Sequence, residues 1–586
     1  MAFCSAMSNY TLNEKNNISL TVEGCSNNEC LGLVALYNSA VGKRGKNANA
    51  NANANINNCD ITLIDTLYDF VMNNINNLTD ESKKKMYITY LVKLIFLIRD
   101  HYEGNGERDI FYKLFSRLYM SYPKICIHSL HLLTGGHNIY NMDSTLEDTK
   151  PYGSFLDLNR LYMINKSNKL YSRTNISLCD YLLDYYIGCI KKDIQETYPS
   201  LAVKWLPREK KKDHIMAVDL VNRLFSNSNN NSNNNSNNKF KKYRKIMKDL
   251  SDKMVIIEQL MTKNEWDMIE IKHIPSKALN KYMYAFKNEI KKTGDLRYPD
   301  DVKRMELRKK MLYELNKSVE SSRLNVKALQ PYEIVKTIVS NGIKMLESEN
   351  ESIIAMWNKY VYEFEKKMEA SVELKNNLNM IILADVSGSM SGTPLEACIS
   401  LSLLLTNMLN SNWKNKILTF ESEPRWHNIP DNLNIVEKIR YLKSAPWGGS
   451  TNIGKALNMI LDVAIKNNLS KEDMPPKMII FSDMQFDQAC APQDMFKTGY
   501  ELLESKYKLA GYNLPHIIFW NLRGDTNGYN NKSSQRGTTM LSGFGPATFK
   551  SFMDGNFNID NSPWQTLKNL LESNRLNKLD NIIDSI

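Results

Sequence analysis

The stretch "NMIILADVSGSM", Asn379–Met390, decides how the chain is read. A short apolar run of β-type residues ends in an aspartate and passes into a loop of serine and glycine. A helical pattern, "TPLEACISLSLLLTNML" (Thr393–Leu409), follows it. Toward the C-terminus the alternation repeats: "KILTFES" as strand, "NIVEKIRYLKS" and "NIGKALNMILDVAIKNN" as helices, "KMIIFSD" as strand, "DMFKTGYELLESKYKLA" as helix. "HIIFWNLRG" and "TTMLSGF" then read as strands before two closing helices. Short apolar strands alternating with helices are the pattern of a parallel α/β sheet. Residues 376–586 are therefore expected to form an α/β doubly wound domain.

In such sheets ligands sit beyond the carboxyl ends of the strands. Three loops arrive there. The first carries Asp385, Ser387 and Ser389, with Gly388 and Gly392 allowing a tight turn; the second carries Thr451 and the third Asp483. Two carboxylates and three hydroxyls form a small all-oxygen cluster, which suits a hard cation, Mg²⁺ or Mn²⁺, better than zinc. Gln485, Phe486 and Asp487 follow directly and are expected at the rim, where a partner would touch. The second loop also imitates another motif, because from Gly449 it spells G-x-x-x-x-G-K. A phosphate-binding loop must follow a strand and end in Ser or Thr. Here a helix and "SAPW" come first, and Ala456 stands at the hydroxyl position. No nucleotide is expected, and Lys455 should contact none.

From Asp60 onward the pattern is helical, with Ile61, Ile64, Leu67, Val71 and Ile75 on one face of a 3.6-residue period. Similar stripes recur at Phe111–Tyr119, Leu178–Ile190, Ile246–Leu260, Lys303–Leu315 and Ile353–Phe364. Residues 60–372 are expected to form an all-helical domain of stacked helix pairs. The asparagine-rich tracts Asn47–Asn58 and Ser226–Asn238 have no apolar period and too little to bury, so residues 1–58 and the loop 226–238 are expected to be disordered. Nine cysteines without a C-x-x-C pair fit a reducing compartment rather than a disulfide framework or zinc knuckle. No apolar run reaches the roughly 18 residues of a membrane span. "MYITYLVKLIFLIRD" (Met86–Asp100), interrupted by Lys93, reads as a buried helix, and the N-terminus lacks the pattern of a signal peptide. An intracellular, cytoplasmic protein is expected. His128 and His131 share helical spacing but lack a third ligand, so they are read as packing or surface residues.

"DVSGSM", "GGSTN" and "FSDMQFD" resemble the three loops of a metal-ion-dependent adhesion site in a von Willebrand factor A domain. The resemblance implies that Ser387 and Ser389 bind the metal directly, Thr451 directly or through water, and Asp385 and Asp483 mostly through water. It also implies a sixth position open to an acidic group of a protein partner. In the helical half, "LIFLIRDHYEGNGERDIFYKLFSRLYMSYP" and "PYGSFLDLNRLY" are similar to the helical-repeat, HEAT-like module of Ro-type (TROVE) ribonucleoproteins. Those proteins join such a module to a von Willebrand A domain. The chain as a whole resembles an uncharacterised Ro-like family with this layout, marked by "KWLPRE" (Lys204–Glu209), "YRK" (Tyr243–Lys245) and "SDMQFDQA" (Ser482–Ala489). For the helical part the resemblance implies RNA binding.

Charge bears on that implication. The net charge is +11, yet residues 371–586 hold 21 basic and 21 acidic side chains, leaving 54 against 43 for the rest. Basic clusters stand at "SKKK", "REKKKD", "KFKKYRKIMK" and "RMELRKK". Phosphate neutralisation by such patches gives sequence-independent affinity, which makes Lys210, Lys211, Lys212, Lys241, Lys242, Arg244 and Lys245 candidate RNA contacts. Interleaved acidic residues fit an ordinary solvated face equally well. Three classes follow: a non-enzymatic protein that binds a partner through metal and RNA through its helices, a protein scaffold without nucleic acid, and a metal-dependent hydrolase. The last lacks a D-x-D pair and a histidine base, and the first is the expectation.

Overall fold

A computed structural model describes residues 11–12, 18–19, 32–34, 36–37, 58–135, 150–168, 177–226, 236–254, 256–326, 329–341, 347–368, 379–409, 413–420, 424–443, 453–482, 502–522, 538–543 and 563–584. The described chain is helical in its N-terminal part and α/β in its C-terminal part. By internal contacts it divides into two compact units. A helical unit comprises residues 75–259 and 571–586, and a sheet unit comprises 1–74 and 260–570. Among the described residues no helix is long and apolar enough to cross a membrane.

Most apolar stripes become helices where the period places them, but the stripe Ile246–Leu260 is broken, one helix ending at Lys253 and a short one running Ile257–Thr262. Helix α1 (Asn58–Asn76) buries Ile64, Leu67, Val71 and Ile75. In the helical unit, α2 (Glu81–Arg99) starts at Asp80, whose carboxylate accepts from the Ser82 and Lys83 amides, satisfying donors that a helix N-terminus leaves without partners. It is followed by α3 (Asp109–Ser121), α4 (Pro123–Thr134), α5 (Phe155–Asn168), α6 (Leu178–Gln195), α7 (His214–Leu224) and α8 (Ser236–Lys253). Each packs on its neighbours in sequence, α2 on α3, α3 on α4 and α5, α5 on α6, α6 on α7 and α7 on α8. Helix α8 begins inside the asparagine tract, so Ser236–Asn238 form its first turn rather than the end of a loop.

The unit is tied together by buried charge. Arg99 is 2% exposed and donates to Asp157 (2.6 Å), which also accepts from the Tyr112 hydroxyl (2.6 Å) and the Ser154 amide (2.6 Å). Gly153 sits so close that a Cβ there would meet Asp157 Oδ2 at 2.4 Å, so the carboxylate is reached only past a residue without a side chain. The stretches 94–123 and 151–162 are thus joined by the Arg99–Asp157 ion pair and the Tyr112–Asp157 hydrogen bond.

The sheet unit contains α9 (Val302–Leu315), α10 (Pro331–Asn341) and α11 (Glu347–Met368). Its sheet is formed by β1 (Met380–Asp385), β2 (Lys416–Phe420), β3 (Arg425–Asn428), β4 (Lys477–Ser482), β5 (His516–Asn521) and β6 (Thr538–Ser542). The strand order is β3-β2-β1-β4-β5-β6, with β3 antiparallel to β2 and every other pairing parallel. Strand β3, "RWHN", is an addition to the sequence reading, which a four-residue edge strand without an apolar run does not announce.

Helices cover both faces of the sheet. Helix α13 (Ile453–Lys466) packs Leu457, Ile460 and Leu461 against Ile381, Leu383, Met478, Ile480, Ile517 and Phe519. Helix α12 (Thr393–Thr406) lies against β1 and is buried from Glu396 to Thr406. A helix apolar on all sides needs a second cover, and α10 supplies it. This is why the compact units depart from the boundaries at 60–372 and 376–586. Residues 260–368 pack with the sheet, and residues 571–586, read from the sequence as the end of the sheet domain, lie in the helical unit.

Those last residues form α14 (Asn577–Asp584) and the turn before it. Leu576, Leu579 and Ile583 are buried, and α14 packs on α2 and α4. Arg575 donates to both oxygens of Asp100, at 2.8 Å to Oδ1, with its guanidinium 4.6 Å from the Tyr152 ring. Lys93, the residue that interrupts the apolar run of α2, reaches Asp580 at 2.7 Å. Its burial, expected from the sequence, is made tolerable by an ion pair from the far end of the chain.

Candidate metal centre

From β1 the chain moves to β2 on one side and later to β4 on the other, so the strand order reverses between β1 and β4. A crevice opens at the carboxyl ends of strands at such a point. Asp385 ends β1 and Ser482 ends β4, side by side by register, since Ala384 pairs with Phe481. Both are fully buried, and the Ser482 hydroxyl donates to Asp385 Oδ2 at 2.6 Å. The other oxygen, Oδ1, accepts the Ser387 amide at 2.9 Å.

The loop beyond β1 is built by alternation. Val386 and Met390 point inward and are buried, while Ser387 and Ser389 are half-buried and Gly388 is exposed. A short 3₁₀ turn over Gly388–Met390 and a positive φ of 97° at Gly392, a conformation suited to glycine, lead into α12. The turn leaves the Ser387 and Ser389 hydroxyls hydrogen-bonded to each other, 2.9 Å apart. Behind Asp385, the Cys398 thiol on α12 donates to the Phe481 carbonyl (3.8 Å). Burial, and secondarily the Asp385 charge, pushes that thiol well above its usual range, so it is neutral.

The donor set fits a small hard cation. Adjacent oxygens of an octahedron with bonds of about 2.0–2.1 Å are separated by about 2.9 Å, the spacing of the two serine hydroxyls. Asp385 has both oxygens engaged by donors of the protein itself. Among the described residues no group of three or more His, Cys, Asp or Glu could hold a metal. Thr451, Asp483, Gln485, Phe486 and Asp487 lie outside the described residues. Ser482 was not singled out from the sequence. The available signal was its position, last in an apolar strand and directly before Asp483.

The basic candidates lie in the helical unit. Lys241, Lys242 and Lys245 are exposed on α8, and Lys210, Lys211 and Lys212 are exposed in the turn before α7. The two sequence markers meet: the buried Tyr243 donates to the Pro207 carbonyl at 3.0 Å, and Arg244 pairs with Glu209 at 2.5 Å. Arg244 is therefore partly spent on an internal partner, whereas the lysines around it project to solvent. His131 is buried on α4, in line with a packing role.

Residues 379–581 match a family model described as "Domain of unknown function (DUF7788)". An uncharacterised protein of Acanthamoeba polyphaga mimivirus is 27% identical over 504 residues, covering 83% of this chain and 80% of the viral protein. A similarity of that length reaches well beyond the 379–581 segment and into the helices before it.

Proposed function

We propose that the chain is a non-enzymatic binding protein whose sheet unit is a von Willebrand factor A-like domain gripping an acidic group of a protein partner through Mg²⁺ or Mn²⁺. The observation that carries this reading is the Asp385–Ser482 hydrogen bond at the strand-order reversal, with the Ser387 and Ser389 hydroxyls 2.9 Å apart above it. Thr451 and Asp483 are the candidates to complete the set, and Gln485, Phe486 and Asp487 the candidates for its rim, by their place in the sequence alone. When bound, the cation supplies an open coordination position for a carboxylate. The protein's part is to hold the two hydroxyls side by side and to fix Asp385 behind them through its bonds to Ser482 and the Ser387 amide.

The helical unit, as a HEAT-like, Ro-like module, binds RNA through phosphates. Support comes from the exposed lysines brought together by the Tyr243–Pro207 contact. Purification of the intact protein from its native host tests both halves. A protein partner released by chelator and absent from an Asp385→Ala variant is expected, together with RNA released by salt. A partner indifferent to chelator would remove the metal reading, and absence of RNA at low salt would leave a protein scaffold.

A further inference from the structure

The sheet unit carries a feature that neither its core nor the metal centre uses. Residues 288–298 form a β-hairpin, with Ile290 N–H donating to Asp295 O (2.9 Å), Arg297 N–H donating to Asn288 O (2.8 Å), and Gly294 at a φ of 79° in the turn. Its base is clamped. Asn288 is buried, and its side chain bonds both the amide and the carbonyl of Tyr298 (3.2 and 2.8 Å). Glu289, also buried, pairs with buried Lys287 (2.9 Å) and with Arg308 of α9 (2.7 Å). Burying the Lys287–Glu289 pair is costly unless the geometry is well made, and with the half-buried Arg308 it fixes a projection that buries almost nothing itself. Residues 291–300 are exposed apart from Gly294.

The projection is basic and carries planar groups. Residues 272–317 hold 13 Lys plus Arg against 6 Asp plus Glu. Four of the six acids are engaged internally: Glu289 in the clamp, Asp301 capping α9 and pairing with Arg304, Glu306 with Lys310, and Glu314 with Lys317. The Tyr298 ring lies 4.3 Å from the Arg304 guanidinium, which lies 4.1 Å from Trp266, yet Tyr298 remains 42% exposed. Along α9 the outward face presents Lys309, Lys310 and Tyr313, the last 64% exposed.

Cations interleaved with exposed rings match a ligand that offers phosphates and unstacked base faces together. An acidic protein would engage the cations and leave the rings unused. We propose that the hairpin Ile290–Tyr298 and the outward face of α9 form a second RNA-binding surface, for single strands, on the sheet unit. It rests on the RNA-binding reading above and adds a site outside the helical unit.

The test measures binding of labelled single-stranded RNAs of unrelated sequence to the intact chain between 50 and 200 mM salt. Each phosphate contact contributes about 0.7 to the slope of log K against log salt. The variant Lys291→Ala/Lys292→Ala/Arg297→Ala should therefore lower the slope by about 2 and bind more weakly to every sequence. Tyr313→Ala should weaken binding about fivefold or more through lost stacking while leaving the slope unchanged. Wild-type slope and affinity in both variants, with binding lost only on neutralising Lys241, Lys242 and Lys245, would overturn the second surface and spare the RNA reading. No RNA binding by the wild type at 50 mM salt would overturn both. Hairpin-dependent binding to phosphatidylserine vesicles in place of RNA would replace this surface's ligand with lipid.

Discussion

Asp385 keeps its place because each carboxylate oxygen has a donor and the side chain is buried. Ser482→Ala removes one donor and leaves a buried oxygen short of a partner, which costs about 1–3 kcal/mol. Urea unfolding should register that loss, and metal affinity should fall with it because the carboxylate is then free to turn. Two histidines make a second prediction. Burial lowers His131 from 6.5 to about 4, and burial with the Lys477 charge does the same for His516. In the unfolded chain both take up a proton near 6.5, in the folded chain only near 4, so between those values the unfolded state holds more protons. Stability is therefore full above pH 6.5, falls as pH drops toward 4 and levels off below, by at most about 3 kcal/mol for each imidazole. Denaturation midpoints across that range, flattened in His131→Leu and His516→Leu, check it. The placement of Asp385 at a strand end, with the two serines in the turn after it, was legible from the sequence because a carboxylate at the end of an apolar run stands out. Ser482 was not, since a serine at a strand end has many ordinary uses.

Strand β1 and helix α12 were legible for a similar reason, as their apolar runs are long and bounded by turn residues. Edge strand β3 is too short and polar to show a period. The docking of α14 was hidden by distance along the chain, because no local pattern links Arg575 to Asp100, 475 residues away. The two ion pairs of that segment should behave differently. Asp100 is 1% exposed, so Arg575→Met strands a buried charge and should cost about 3–5 kcal/mol. Asp580 is 36% exposed and can be hydrated when its partner goes, so Lys93→Met, which fills a buried site with an apolar chain, should cost under about 1 kcal/mol or stabilise. Chemical denaturation of the two variants side by side decides this. Equal losses would mean that the pairs are not distinguished by burial.

Across the molecule, the change of character near residue 376 marks where strands begin but not where contacts divide. Helices α10 and α11 precede the first strand and still pack with the sheet unit, and the last sixteen residues return to the helical unit. Both are long-range matters of which apolar face covers which, and composition along the chain does not encode them. The sheet topology itself has a direct consequence, since it sets Asp385 and Ser482 together at the reversal of strand order and aims the Ser387–Ser389 loop over them. The claim that this edge is a cation site is tested most directly by calorimetric titration of Mg²⁺ and Mn²⁺ into the intact chain, in wild type and in Ser387→Ala. The account predicts one weakly held ion per wild-type chain, because few carboxylates touch it, and loss of that ion in Ser387→Ala with unchanged urea unfolding. Saturable binding of equal affinity in Ser387→Ala, or no binding in the wild type, would contradict it.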